Sequence, residues 1–139
     1  EIIDLITGEI KLASDVELLD VDMGFDTNRT VVTFAGDPDK VIEAAFCCIK
    51  KASELIDMRK HSGTHARMGA TDVCPIIPIQ NITVEECVQY SNKLAEKVGK
   101  LLKIPVFLYE YSANSEERKN LANIRSGEYE GMQEKLKSK

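Results

Sequence analysis

Val16-Glu17-Leu18-Leu19-Asp20-Val21-Asp22-Met23 and, after one short loop, Thr30-Val31-Val32-Thr33-Phe34 are the stretches that decide the class of fold. The first is rich in branched apolar residues and alternates at its end, and the second is β-branched almost throughout, so both read as strands. The loop between them, Gly24-Phe25-Asp26-Thr27-Asn28-Arg29, is polar. It sets charged and amide groups at the end of a strand pair, a position where functional groups often sit.

Helical patterns flank this pair. Residues 1–12 place Ile2, Leu5, Ile6 and Ile10 at near-helical spacing, although Gly8 weakens the helix by about 1 kcal/mol relative to Ala. Downstream, Asp37-Pro38-Asp39 is a helix start. Asp caps free amide donors, Pro is tolerated at the first helical position, and a second carboxylate favours the positive end of the dipole. Val41, Ala45, Cys48, Ile49, Ala52 and Ile56 then follow on one face. Asp72 to Ile79 is apolar enough for a strand, though Pro75 and Pro78 remove ladder donors and suggest an edge or irregular position. Thr83 and Glu86 form a capping box ahead of a stripe of Val84, Cys87, Val88, Ser91, Leu94, Ala95 and Val98. Pro105 to Tyr111 reads as a final strand, and a short helical turn is expected around Ser115 to Ile124. The order is helix, strand, strand, helix, strand, helix, strand. That is an α+β pattern which needs one more strand at the front to become a ferredoxin-like plait of βαββαβ type. Residues 1–112 are expected to form the folded unit, with 113–139 a charged tail. The chain opens directly on a helical pattern without an initiating Met, so its natural start is expected to lie elsewhere. A plait hosts many unrelated activities, so function has to come from the site.

The 139 residues suit one domain that buries a core without disulfides or metal. A hydrophobic fraction of 43% with 29% charged residues is that of an ordinary globular protein, and no apolar run is long enough to span a bilayer. The net charge of -5, without a basic stripe, argues against nucleic acid as a partner. Cys47, Cys48, Cys74 and Cys87 sit in apolar segments without CxxC spacing, so they read as small core residues in a reducing compartment. No signal-peptide pattern is present. The expected location is cytoplasmic, and the sequons at Asn28 and Asn81 are expected to stay unglycosylated.

Residues 57–71 carry Arg59, Lys60, His61, His65 and Arg67 with Gly63 and Gly69 and show no regular period. This loop is the chemical centre of the sequence. Histidine suits proton transfer near neutral pH, and flanking glycines let the backbone approach a ligand. The plainer reading is two solvated loop histidines. A zinc site is a third reading, since two His four apart can share a helix face, but Gly63 lies between them. Its ligand set would need Asp57, Asp72 or a distant carboxylate. Asp20 and Asp22 project from one strand face, either as a carboxylate pair or as acids shown to water. Arg29 and Arg67 suit two-pronged contact with a carboxylate, or simple surface ion pairs.

The ordered set of motifs resembles the glutamate formiminotransferase family along nearly the whole chain, at its N-terminal subdomain. The resemblance is carried by Leu18-Leu19-Asp20-Val21-Asp22, Thr27-Asn28-Arg29-Thr30-Val31, Thr33-Phe34-Ala35-Gly36 and Leu55-Ile56-Asp57-Met58. It continues through His61-Ser62-Gly63-Thr64-His65-Ala66-Arg67-Met68-Gly69-Ala70, Asp72-Val73-Cys74-Pro75, Val106-Phe107-Leu108-Tyr109 and Arg125-Ser126-Gly127-Glu128-Tyr129-Glu130-Gly131. It implies transfer of a formimino group from N-formimino-L-glutamate to N5 of tetrahydrofolate, the co-substrate, in histidine degradation, with no metal. It implies His65 as the catalytic acid/base, moving protons between the folate nitrogen, the tetrahedral adduct and the departing glutamate nitrogen. Asp22, Asn28, Arg29, Arg67 and Gly69 are implied to orient substrate or folate. The implied partners are a C-terminal subdomain of the same enzyme, with folate bound between the two, and further copies in a homo-oligomer. Some family members read Gly-Glu-His-Pro where this chain has Gly63-Thr64-His65-Ala66, and the family's first strand, with its Pro-Asn-Phe-Ser motif, has no counterpart here. A stand-alone, non-catalytic folate-binding or interaction module is the alternative to the enzyme.

Overall fold

Helix α1, Ile2–Leu12, forms at the expected apolar spacing and buries Ile6, Thr7 and Ile10, the last completely. The chain then turns through Asp15, at a positive φ of 60°, into strand β1, Val16–Gly24, which pairs antiparallel with β2, Arg29–Gly36. The structure is a computed structural model that describes residues 1–137.

The two faces of this hairpin are unequal. Leu18 opposes Phe34 and Val21 opposes Val32, all four half-buried, and Phe34 packs on the helical core. Asp20 opposes Thr33 and Asp22 opposes Val31 on the other face, where all four are exposed. An irregularity between Leu18 and Asp20 adds Leu19 as an extra residue. Such a bulge shifts the period-two alternation by one, which is why the inward positions change from Val16 and Leu18 to Val21.

Helix α2, Pro38–Leu55, starts as read from the sequence: the Asp37 carboxylate accepts from the Asp39 amide at 3.3 Å, and Pro38 occupies the first turn. Helix α3, Val84–Lys97, has the full capping box. The Thr83 amide donates to Glu86 Oε2 at 2.8 Å, and the Glu86 amide donates to Thr83 Oγ1 at 3.1 Å. A π-helical turn, Val98–Leu102, follows and ends at Lys103 in the left-handed region. α2 lies between α1 and α3. Ile42, Ala45 and Phe46 of α2 meet Leu94 and Val98 to form the core, with Phe34, Cys74, Ile76 and Ile104 packed against it.

The sequence reading is corrected at two strands. Among the described residues the sheet has two strands, and neither Asp72–Ile79 nor Pro105–Tyr111 joins a ladder. Cys74, Ile76 and Ile104 lie against the same core that strands at these places would cover. Their apolar side chains place the segments there, while Pro75, Pro78 and Pro105 each lack the N–H that a ladder needs. The mixed helix and sheet content agrees with the α+β class. In the charged segment the helical turn read around Ser115 to Ile124 forms as the short helices α4, Glu116–Lys119, and α5, Leu121–Arg125, and Ile124 is buried. The final helix, α6, is Met132–Lys137.

None of the four cysteines is in a disulfide. Burial pushes the Cys48 thiol up to about 12 and the Cys74 thiol up to about 11, so both stay protonated and unreactive at neutral pH. Iodoacetamide at pH 8 is therefore expected to leave Cys48 and Cys74 unmodified in the native protein and to label them after denaturation, as read by peptide mass spectrometry. Gly8 sits in α1 with open space where a Cβ would be. Gly8→Ala is accordingly expected to raise stability by about 0.5–1 kcal/mol in urea unfolding. A lower midpoint would mean that α1 needs its glycine.

Candidate functional site

The hairpin turn and the histidine loop meet edge to edge, and that contact builds the site. Asn28 holds the turn at a positive φ of 48°, a conformation Asn tolerates better than most residues. Its side-chain amide donates to the Ser62 carbonyl at 2.9 Å and to His61 Nδ1 at 3.3 Å. The Thr64 backbone amide and hydroxyl both donate to the Asp26 carbonyl, at 3.4 and 3.2 Å. Between these two stitches Gly63 lies so close to the turn that a Cβ would fall 2.5 Å from the Thr27 carbonyl oxygen. Glycine is required there by close approach. Thr64 ties the loop to the turn through both its amide and its hydroxyl.

With the loop fixed, half-buried His65 is oriented from both sides. Nδ1 donates to the Ala66 carbonyl at 2.7 Å, and Arg29 Nη1 donates to Nε2 at 2.5 Å. A carbonyl can only accept and a guanidinium can only donate, so the proton sits on Nδ1 and the Nε2 lone pair is taken up by Arg29. This tautomer makes Nε2 the acceptor nitrogen of the imidazole.

Arg67 anchors the far side of the loop. Its Nε donates to the His61 carbonyl at 3.0 Å, and its two terminal nitrogens hold Glu130 at 2.7 and 3.1 Å, with Glu128 at 3.5 Å. These contacts pull the Glu130 carboxyl below its usual range, the Arg67 hydrogen bond being the main cause. A second clasp, Arg125 to Asp72, joins the same two segments with both side chains more than four-fifths buried. Asp72 also accepts from the Met68 amide at 2.9 Å. An open cleft of about 420 Å³ runs between the segments, lined by Ala66, Ala122, Arg125, Ser126, Gly127 and Glu128.

Of the residues singled out in the sequence, Asn28, Arg29, His65 and Arg67 are thus linked through one loop. Asp22 stands apart on the exposed sheet face. Arg29 is its diagonal neighbour there, which in antiparallel pairs means about 7–8 Å. Asp22 makes no hydrogen bond or ion pair among the described residues. Gly69 has no steric need to be glycine, since a Cβ there would meet only the Thr71 carbonyl at 3.7 Å. The carboxylates that a zinc site would have drawn on are otherwise engaged. Arg59 hydrogen bonds hold the Asp57 carboxyl down at about 2, and Asp72 is clasped by Arg125. Among the described residues no three His, Cys, Asp or Glu side chains group to hold a metal. The sequence reading passed over Glu128, Glu130 and Arg125 as parts of the site. Their partners lie far away in sequence, Glu130 being 63 positions from Arg67, beyond the reach of any local pattern.

Because Gly63 has no room for a methyl, Gly63→Ala is expected to part the loop from the turn while leaving the helical core intact. Amide exchange at Thr64 should rise at least tenfold while far-UV circular dichroism is unchanged, and unchanged exchange would show that the close approach is dispensable.

A family model described as the formiminotransferase domain, N-terminal subdomain, matches residues 1–139. Among individual proteins, the glutamate formimidoyltransferase of Streptococcus pyogenes serotype M1 is 51% identical over 135 residues, which cover 97% of this chain and 45% of that protein. The formimidoyltransferase-cyclodeaminase of Dictyostelium discoideum is 49% identical over 136 residues, 98% of this chain and 25% of its relative. The glutamate formimidoyltransferase of Thermoplasma acidophilum is 42% identical over 137 residues, 97% of this chain and 45% of that protein. The chain therefore spans less than half the length of these relatives. With a family model matched end to end, the chain belongs to the formiminotransferase family, as its N-terminal subdomain.

Proposed function

We propose that this chain is the N-terminal part of an enzyme that transfers the formimino group of N-formimino-L-glutamate to N5 of tetrahydrofolate, in the breakdown of histidine, with His65 as its acid/base. The observation that carries the reading is the pairing of His65 Nε2, a hydrogen-bond acceptor in this tautomer, with the Arg29 guanidinium beside it. In this reading His65 Nε2 takes the proton that the folate nitrogen loses as its bond to the formimino carbon forms. It then returns that proton to the glutamate nitrogen as the old bond breaks, so one imidazole serves both halves of the exchange. Arg29 binds a ligand carboxylate, and its movement onto that carboxylate clears Nε2 for the reacting nitrogen.

Both ligands are anionic, which suits cationic forks in an otherwise acidic chain. The exposed sheet face beside Arg29 carries apolar Val31. It gives a flat pterin ring a surface to lie on, with Asp22 at its edge as a hydrogen-bond acceptor and Asn28 and Gly69 contributing along the loop. The reading extends to the rest of the protein. Residues 113–139 lead towards a C-terminal subdomain that completes the folate site, the whole assembles as a homo-oligomer, and its setting is the cytoplasm. Among the described residues no helix is long and apolar enough to cross a membrane. In this reading a further strand lies along the open edge of β2 and gives segment 72–79, already packed on the core through Cys74 and Ile76, a ladder partner, which makes up the four strands of a ferredoxin-like plait.

The test is turnover of N-formimino-L-glutamate with tetrahydrofolate by the full-length protein. His65→Ala is expected to lower kcat by about 10²–10⁴-fold, the usual contribution of a positioned acid/base. The unfolding midpoint should stay in place, because the loop lies outside the apolar core. Near wild-type turnover in that variant would remove His65 from the mechanism, and no turnover in the unmodified protein would remove the reaction itself.

A further inference from the structure

Arg67 differs from the other arginines in how it is held. Nε is committed to the His61 carbonyl at 3.0 Å, which ties the guanidinium to the backbone of the histidine loop and leaves the Nη1 and Nη2 edge for a second partner. Glu130 fills that edge with two parallel bonds, of 2.7 and 3.1 Å, the fork-on-fork contact by which arginine recognises carboxylates. The two partners are unequally fixed. The Arg67 side chain is only 20% exposed, whereas that of Glu130 is 65% exposed. Glu130 also follows a run of turns in which Gly127 and Glu128 both have positive φ. Ion pairs with so exposed a member contribute little, so Glu130 is easily displaced while Arg67 keeps its place. The Arg125 to Asp72 clasp, with both side chains more than four-fifths buried, holds the two segments together without it.

The fork stands next to an open cleft. The cleft of about 420 Å³ falls within the range of small-molecule sites. One wall is Ala66, whose carbonyl accepts a hydrogen bond from His65 Nδ1, and another is Glu128, whose carboxylate lies 3.5 Å from Arg67. A small ligand seated there has the catalytic loop on one side and the Arg67 fork within reach.

We propose that Glu130 is a built-in carboxylate that fills the Arg67 fork in the ligand-free protein, and that a carboxylate of the incoming glutamate moiety replaces it as the ligand enters the Ala66–Ser126 cleft. The inference rests on the proposed formimino transfer, which makes a glutamate the arriving group. It assigns Arg67 to the glutamate end of the site and makes Glu130 an internal competitor that sets affinity.

Calorimetric titration of L-glutamate, the glutamate product, into the full-length protein tests this apart from turnover. Glu130→Gln keeps the size of the side chain and removes its charge, and is expected to tighten the L-glutamate Kd by about three- to tenfold. Arg67→Lys removes the fork and is expected to weaken it by about tenfold. Glu128→Gln, which alters only the 3.5 Å contact, should change it less than Glu130→Gln does. A gain in affinity on removing Glu130 is an outcome that loss of a mere structural brace does not produce. An unchanged or weaker Kd in Glu130→Gln overturns the proposal, and so does absence of L-glutamate binding to both proteins. If turnover is absent but Glu130→Gln still binds L-glutamate more tightly, the reaction assignment fails and the competition stands. If turnover is present and the Kd does not move, the competition fails and the reaction stands.

Discussion

The close approach of Gly63 to the Thr27 carbonyl is the constraint on which the site depends. Once those two backbones touch, Ser62 and Thr64 on either side fall within hydrogen-bonding distance of Asn28 and Asp26. Residue 65 is then delivered to the end of β2, where Arg29 waits. Each partner contributes an unusual backbone position: Asn28 adopts the left-handed region to form the turn, and Gly63 gives up a side chain to meet it. A hairpin braced on helices therefore provides the rigidity that a loop of irregular structure lacks by itself.

Around this contact the cationic groups are matched individually rather than by a general field. The chain is acidic overall, yet Arg29, Arg67 and Arg125 each face a defined partner: an imidazole, an exposed carboxylate and a mostly buried carboxylate. The three pairs differ in consequence because they differ in burial. Removing Asp72 leaves a charge in a protein interior, where desolvation is costly, whereas removing Glu130 leaves Arg67 partly in water. The structural clasp and the displaceable contact thus lie side by side between the same two segments.

The fold serves the site through its sidedness. Helices α1 and α2 cover one face of the hairpin, so Phe34 is committed to the core and Val32 is half-buried, while Arg29, Val31 and Asp22 are left on the open face. The bulge at Leu19 keeps this division intact despite an out-of-phase start to β1. Without it, one residue of slip would carry Asp20 and Asp22 into the apolar layer.

Much of this was legible in the sequence, because it rests on local physics. The Asp37-Pro38 start of α2, the Thr83 and Glu86 box of α3 and the β-branched run of β2 each depend on residues within a few positions of one another, and all three formed as read. The histidine loop was recognisable by its composition and its motif. Strand status at 72–79 and 105–111 was not legible, since apolar content places a segment against the core but only a hydrogen-bonded neighbour makes it a strand. Nor could any local pattern show that Arg29 meets His65, that Thr64 binds the Asp26 carbonyl, or that Glu130 fills the Arg67 fork. Those pairings join residues dozens of positions apart, and only the tertiary fold brings such distant groups within hydrogen-bonding range. The sequence by itself determined which groups are present and which local elements form; the packing of the loop between hairpin and C-terminal segment decided what each group touches.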